Sequence, residues 1–329
     1  MESNISSRKH LGVLMVTGVY HPEVSGAANQ CRQLVNALRD KVSFTVFTTT
    51  QDPNLPLRSQ VDDVNVFRLP LKERNVFEYF KAILIFTTLF LSQRRDFQVV
   101  HLHGFSFKSA LVVLLSKILQ KKIITKMTSV GYDDPISMRW RGFPLNYFFS
   151  KADTYVSMNP EFEKLYHQSE LPANQLKRIP NGVDTDRFHP VTDMEKTKLR
   201  NKLQLPEKMK IILFVGHFSS EKCPEVLLEA WIENVVETFP ETGIVFIGST
   251  NPDHYEVNID LVTEIKKLAN SYINDQIFFV ENTYEIEEYY QSVDLFVLSS
   301  KREGLPNALL ETMACGLPVI TSRIEEVTD

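Results

Sequence analysis

Short apolar runs recur along the chain, separated by longer segments in which apolar positions return every three or four residues. Leu11–Val16 is such a run. It ends in a Gly/Pro-containing loop, Gly18 to Gly26, and is followed by apolar positions at Ala27, Cys31, Leu34, Val35 and Leu38, the spacing of a helix with one buried face. Further strand-like runs lie at Val42–Phe47, Val64–Leu69, Gln98–Leu102, Lys122–Thr125 and Thr154–Ser157, with helical-length segments between most of them. Such alternation predicts an α/β fold on a mostly parallel, doubly wound sheet. The most apolar long stretch, Val76–Leu91, carries Glu78 and Lys81 and is shorter than the roughly 20 residues that span a bilayer. It is predicted to be a buried helix.

The alternation breaks at LPANQLKRIPNGVDTDRFHP, residues 171–190, a stretch rich in Pro, Asn, Asp and Gly and therefore a domain junction. It then restarts. Lys210–Val215, Gly243–Ile247, Gln276–Val280, Asp294–Leu298 and Pro318–Thr321 read as strands, with helical segments such as Glu225–Glu237 and Asp260–Asn270 between them. Two Rossmann-like domains are expected, 1–175 and 176–329, facing a cleft. Ligands of open parallel sheets bind beyond the carboxyl ends of the strands, so loops from both domains would serve that cleft.

A chain of 329 residues, 43% hydrophobic and 23% charged, is too apolar for disorder and long enough for two cores. Cys31, Cys223 and Cys315 are far apart, which suggests neither a disulfide framework nor a zinc site. The first ten residues are polar and basic, without the apolar core of a signal peptide. A cytoplasmic protein is expected. The net charge of −5 hides an asymmetry: residues 1–170 hold 21 Lys+Arg against 15 Asp+Glu, and residues 171–329 hold 15 against 26. In the first half Arg94, Arg95, Lys117, Lys121, Lys122 and Lys126 gather near apolar helices, a pattern suited to peripheral docking at the inner face of an anionic membrane or to an ordinary solvated face. Nucleic acid is not an expected partner.

The sharpest local motif is SKREGLPNALLE, residues 300–311. It follows a strand and opens a helical pattern, with Pro306 expected as the first helical residue. Amides at such a helix start can receive a phosphate. Glu303 before the helix and Glu311 within it would touch different parts of one extended ligand, such as the hydroxyls of a sugar and of a ribose. The plainer alternative is two solvated glutamates around a strand–helix turn. A second motif, VGHFSSEK at 215–222, pairs Gly216, whose backbone can approach a diphosphate, with His217 and Lys222 as sources of positive charge. A third, VHLHG at 100–104, places His101 and His103 on one strand face; polar contact with substrate is favoured over a metal pair, for which no third ligand lies nearby in sequence. The loop at Gly26 offers another backbone contact but lacks the GxGxxG pattern of dinucleotide sites.

Together these segments resemble the retaining nucleotide-sugar glycosyltransferases of glycosyltransferase family 4, over essentially the whole chain. The Gly26 loop, HLHG, NGVDTDRF, GHFSSEK, the Glu303/Glu311 pair at EX7E spacing and MACGLPVITS appear in the family's order. The resemblance implies the GT-B architecture, with an acceptor-binding N-terminal domain and a donor-binding C-terminal domain. It implies that Glu303 meets the donor sugar, Glu311 the ribose and Lys222 the diphosphate, with Gly304 and the amides of Leu305 and Asn307 beside sugar and phosphate. It further implies that His103 lies beside the transferred sugar, that Gly26 turns an amide towards phosphate, and that Asn181, Gly182 and Asp184 shape the crossover. The implied catalytic set is His103, Lys222 and Glu303. Transfer in this family retains anomeric configuration, and it implies neither cofactor nor metal. This chain has Gly216-His217 where the family commonly has Gly-Arg, and Cys223 where it commonly has glycine. Family members also continue beyond the position of Asp329, which implies an incomplete C-terminal part.

The expected function is transfer of a hexose or N-acetylhexosamine from a nucleotide-diphosphate sugar to a glycan, lipid-linked or other hydroxyl acceptor. A nucleotide-sugar epimerase on the same fold and a non-catalytic nucleotide-sugar-binding subunit are the alternatives.

Overall fold

The computed structural model describes residues 10–50, 52–70, 76–251, 257–272 and 275–324, without the side chains of 76–80. The chain forms two compact units, Met1–Asn181 and Gly182–Asp329. The first contains β1 (Leu11–Val16), α1 (Gly26–Leu38), β2 (Val42–Thr50), β3 (Arg58–Val61), β4 (Val64–Pro70), α2 (Val76–Ser92) and β5 (Val99–His103), continuing through α3 (Phe107–Ile118), β6 (Lys122–Lys126), α4 (Pro135–Arg141), α5 (Leu145–Phe149), β7 (Thr154–Ser157), α6 (Pro160–His167) and β8 (Leu176–Arg178). Its strands lie in the order β3-β4-β2-β1-β5-β6-β7-β8. All neighbours are parallel except β3 and β4.

Two strands of this sheet escape the apolar pattern. β3 is polar and hairpins onto β4 through Asp62 and Asp63, both at positive φ, the conformation of a tight primed turn. Arg32 grips the Asp62 carboxylate with two bonds of 2.6 and 2.9 Å. β8 lies inside the stretch read as junction; it pairs with β7, so the first unit runs on to Asn181.

Helix α2 corrects the expectation of a buried helix. Phe86 and Phe90 are buried, packing edge-on against Phe47 and Phe97, whereas Ile83 and Leu84 are 48% and 61% exposed. It is a surface helix with one covered face. No helix among the described residues is long and apolar enough to cross a membrane.

The second unit contains α7 (Asp193–Lys202), β9 (Lys210–Val215), α8 (Pro224–Asn234), β10 (Thr242–Ile247), α9 (Ile259–Ala269), β11 (Ile277–Val280), α10 (Ile286–Ser292), β12 (Leu295–Leu298), α11 (Asn307–Ala314) and β13 (Val319–Thr321). The all-parallel order is β11-β10-β9-β12-β13. Ile211, Leu213, Val245 and Ile247 face one core, and Phe214, Ile244 and Phe246 face the other. Both faces are covered, which is why β9 and β10 read as continuous apolar runs rather than alternating ones.

The chain leaves β9 towards β10 on one side, while β12 flanks β9 on the other, so the topological switch lies between β9 and β12. Loops diverge there and leave an opening at the strand ends. Gly248 sets how closely the backbones approach at this end: a Cβ on it would lie 1.9 Å from the Gly216 carbonyl oxygen, and its φ is +156°. Gly248→Ala is expected to destabilise the protein by about 3 kcal/mol or more, read as a lowered midpoint in urea unfolding.

Candidate active site in the second unit

The loops that follow β9 and β12 are tied together by charge and by backbone. Lys222 Nζ donates to Glu303 Oε1 at 2.6 Å, and Ser300 Oγ donates to the same oxygen at 2.6 Å. Beside this pair, Lys301 N donates to Glu221 O, Ser299 Oγ donates to the carbonyls of Lys222 and Cys223, and Arg302 meets Glu221 at 2.6 Å. Glu303 is 9% exposed. Its Oε1 is held by two donors, while Oε2 accepts from no group among the described residues. A buried carboxylate with one fixed and one open oxygen is oriented to accept a ligand hydroxyl.

Glu311, one turn into α11, is 8% exposed and accepts from Tyr290 Oη at 3.1 Å on Oε2. Burial pushes its carboxyl up to about 7, against the opposing pull of the Tyr290 hydroxyl and the Arg187 charge. Tyr290 is fully buried between Phe188 and Phe296, and its hydroxyl is raised well above the ordinary range by burial and by Glu311. The reading of Glu303 and Glu311 as solvated glutamates is thereby excluded.

Between them runs the approach to α11. Pro306 is the N-cap, with Asn307 as the first helical residue, one position later than expected. The extended ψ of 121° at Pro306 belongs to a cap, and the carbonyl of Pro306 accepts from the amides of Leu309 and Leu310. Gly304, Leu305 and Asn307 therefore line the mouth of the helix, where backbone donors and the helix dipole favour an anion.

Across the switch, Gly216 N donates to Ile247 O, and the turn is pinned by Phe218, buried against Phe214, Phe246 and Phe279. His217 and Lys222 flank that anchor, both partly exposed. Cys223 stands at the N-cap of α8 with φ 50° and ψ 51°, a left-handed conformation that favours glycine. The backbone thus keeps the shape a glycine would give, and the thiol is buried with Sγ donating to Ser220 O at 3.3 Å.

The structure brings Gly216, His217, Lys222, Glu303, Gly304, Leu305, Asn307 and Glu311 to the same end of the second sheet. Gly26 and His103 belong to the first unit. Gly26 opens α1, behind the Ser25 cap whose side chain accepts from Ala28 N at 3.1 Å. His103 ends β5 at 4% exposure, and neither ring nitrogen has a hydrogen-bond partner among the described residues. Its ring lies 4.5 Å from that of His101, as the same-face reading requires. Burial, then the neighbouring His101 and Lys126, hold His103 well below its ordinary pKa, and burial with Lys126 takes His101 to about 3. Both imidazoles are neutral, and no group of three or more His, Cys, Asp or Glu able to hold a metal ion occurs among the described residues.

Several supporting residues were missed. Lys126, assigned to a basic surface, is 8% exposed; it ends β6 and donates to Asn181 Oδ1 at 2.7 Å. Asp133, also unread, is fully buried and accepts from the amides of Thr128 and Ser129. Ser300 and Tyr290, which orient the two glutamates, carry no motif of their own. Position three before Glu303 was the only available signal for Ser300. Asp184 Oδ1 accepts from the amides of Asp186 and Arg187 in the NGVDTDRF stretch, a turn that seats Phe188 in the core.

Residues 25–182 match the model of the glycosyl transferase 4-like domain, and residues 195–329 match that of glycosyl transferases group 1. Spore coat protein SA of Bacillus subtilis is 35% identical over 163 residues, 47% of this chain and 42% of that protein. N-acetyl-alpha-D-glucosaminyl L-malate synthase of Bacillus anthracis is 22% identical over 316 residues, 92% of this chain and 77% of that one. In fold, the chain is similar to Anabaena HepE, solved with UDP and glucose, at a TM-score of 0.73 and 14% identity over 96% of this chain and 81% of that one. Sucrose-phosphate synthase from Thermosynechococcus elongatus gives 0.72 and 21%, over 96% and 82%. The chain belongs to the GT-B glycosyltransferases of the family-4-like type.

Proposed function

We propose that the protein is a retaining glycosyltransferase that moves a hexose or N-acetylhexosamine from a nucleotide-diphosphate sugar to a hydroxyl of a glycan, lipid-linked or other acceptor. The observation that carries this reading is the pair of buried glutamates at the switch of the second sheet, each with one oxygen engaged and the other without a partner among the described residues, with Lys222 beside Glu303. Glu311 accepts ribose hydroxyls, Glu303 accepts hydroxyls of the sugar, and Lys222 with His217 draws the diphosphate towards the amides at the mouth of α11. The UDP and glucose in HepE support a donor of this class.

In the reaction the bond from the anomeric carbon to the phosphate oxygen breaks. A bond from the same carbon to the acceptor oxygen forms on the same face, and the acceptor proton passes to the departing phosphate. The protein supplies position and charge stabilisation. In the first unit, the neutral His103 imidazole serves a hydroxyl of the sugar in transit and the Gly26 amide serves phosphate. No cofactor takes part, and peripheral contact with an anionic membrane accompanies a lipid-linked acceptor.

Thermal-shift titration with UDP-, GDP- and ADP-sugars, without added metal, is expected to show stabilisation by one of them. Glu311→Ala should weaken that binding about tenfold or more, Glu303→Ala should lower kcat more than binding, and Lys222→Ala should do both. Unchanged constants in all three would remove the site. An epimer formed without acceptor would identify an epimerase, and donor binding without turnover a binding subunit.

The raised carboxyl of Glu311 adds a pH test. Its folded pKa of about 7 lies above the ordinary glutamate value of 4.5, so the folded state gains from protonation. That gain is complete below pH 4.5 and is lost as pH rises through about 7. Glu311→Gln should therefore stabilise the ligand-free protein at pH 8, by up to about 3 kcal/mol, and make little difference at about pH 4. The same substitution should weaken nucleotide-sugar binding at pH 8, so that melting temperature and affinity move in opposite directions.

A further inference from the structure

Trp140 is 87% exposed and Phe143 is 82% exposed. Exposed large apolar side chains are ordinary when scattered singly and informative when they gather in one patch. Both lie on the α4–α5 corner of the first unit, and the corner is built firmly from beneath. Asp134 caps α4 by accepting from Ser137 N and Oγ and from Gly131 N. Met138, Leu145 and Phe149 are buried on the inner side of the two helices. Gly142, at φ +63°, ends α4 with its amide donating to Arg139 O, and turns the chain so that Phe143 stands outward. Tyr147, half exposed, lies 6.2 Å from the Phe143 ring. The outer face is thus an aromatic knob on a rigid base, not a frayed loop.

The charges on the corner itself are basic, and the exposed carboxylate beside them is Glu170. Arg141 lies over the ring of Tyr132 at 3.9 Å and Lys151 over Tyr147 at 4.7 Å, and neither has a carboxylate partner among the described residues. Arg139 reaches only the exposed Glu170, at 4.0 Å. Residues 107–151 hold eight Lys+Arg and two Asp+Glu. Those two acids, Asp133 and Asp134, are buried and bonded to backbone amides, so they offer no surface negative charge. By contrast, the basic cluster read from the sequence is largely engaged elsewhere: Lys117 and Lys122 pair with Asp153, Lys121 donates to two carbonyls, and Lys126 is buried.

We infer that the α4–α5 corner is a membrane-docking surface, on which Trp140, Phe143 and Tyr147 enter the interface of an anionic bilayer while Arg139, Arg141 and Lys151 meet lipid phosphates. Aromatic rings with a polar or cationic edge are the side chains that settle at the headgroup level, and basic residues add attraction to anionic lipid that salt screens. A protein partner would need matching acidic chemistry and is the competing occupant. The inference names the surface for the membrane contact proposed above, and it stands independently of the transfer reaction.

The chain provides its own probe. Its two tryptophans are Trp140 and Trp231, and Trp231 is 1% exposed with Nε1 donating to Thr242 Oγ1. Added vesicles can therefore shift only the Trp140 emission. With vesicles of phosphatidylcholine containing phosphatidylglycerol, the protein should co-sediment and its emission should move to the blue. Pure phosphatidylcholine should do neither, and high salt should release the protein. Phe143→Ser should weaken the emission change, and Trp140→Ser/Phe143→Ser should lower the partition coefficient about tenfold or more in sedimentation. Arg141→Gln/Lys151→Gln should do the same while flattening the salt dependence. These positions are exposed, so the variants should keep the parent melting temperature and the parent response to nucleotide sugar.

Absence of any vesicle binding would overturn both the surface and the membrane contact. Binding without an emission shift, or undiminished binding of the Trp140→Ser/Phe143→Ser variant, would overturn the surface alone. An oligomer that the same variant dissolves, with no vesicle binding, would assign the knob to a protein interface instead. A donor site that fails its titration would leave all these readings unaffected.

Discussion

A parallel strand cannot return to its neighbour by a tight turn, and the crossover it needs governs how this chain is built. In the second unit every strand is parallel, so helices pack on both faces and the connecting loops emerge at the carboxyl ends. The order β11-β10-β9-β12-β13 makes those loops part company between β9 and β12. Polar side chains can be buried there with open valences because the surrounding sheet supplies rigidity that the loops lack. The same constraint in the first unit places Gly26 behind β1 and His103 at the end of β5, its neighbour.

At the switch of the second unit the loops are held by a bond between opposite charges. Lys222 and Glu303 come from segments 81 positions apart, and each limits the other's freedom. A half-buried lysine beside a buried carboxylate loses hydration that the pair must replace; Ser300 contributes a second donor to the same carboxylate oxygen. Cys223 shows how far the backbone shape outranks residue type at this point. A β-carbon at φ 50° is disfavoured, yet the chain adopts that conformation and seats the thiol on Ser220 O.

The apolar strands were legible in the sequence because two-sided burial demands continuous apolar runs, and β1, β7 and β9 begin and end where the pattern places them. β3 and β8 were not, since an edge strand has little to bury and the pattern registers burial rather than pairing. α2 misled for the related reason that an apolar run reports composition and not which side is covered; Leu84 is as apolar as Phe90 but faces out. In the candidate site of the second unit, the glutamates, the lysine and the glycines follow ordered motifs, and the fold brings them to one end of the sheet. Ser300, Tyr290 and Asp133 orient others through contacts that only the fold creates. Pro306 fell one place from its expected position because proline suits both a cap and a first helical turn.

The two halves also differ in how they treat ionisable groups, and the net charges alone do not reveal it. In the first unit, burial makes His101 and His103 neutral and brings Lys126 down to about 8, with the Asn181 oxygen as an uncharged partner. Part of its nominal positive charge is thus removed from the surface. In the second unit, burial instead raises Glu311 to about 7, while Glu303 is held by Lys222 and Asp294 by Lys196 and Arg200. The acidic half therefore keeps these buried carboxylates either partly protonated or paired. Among the described residues of 107–151, the cations that stay both exposed and without a carboxylate partner are Arg141 and Lys151, at the aromatic corner. Sequence balance, which counts every lysine alike, points to the whole half; burial and pairing reduce it to one surface.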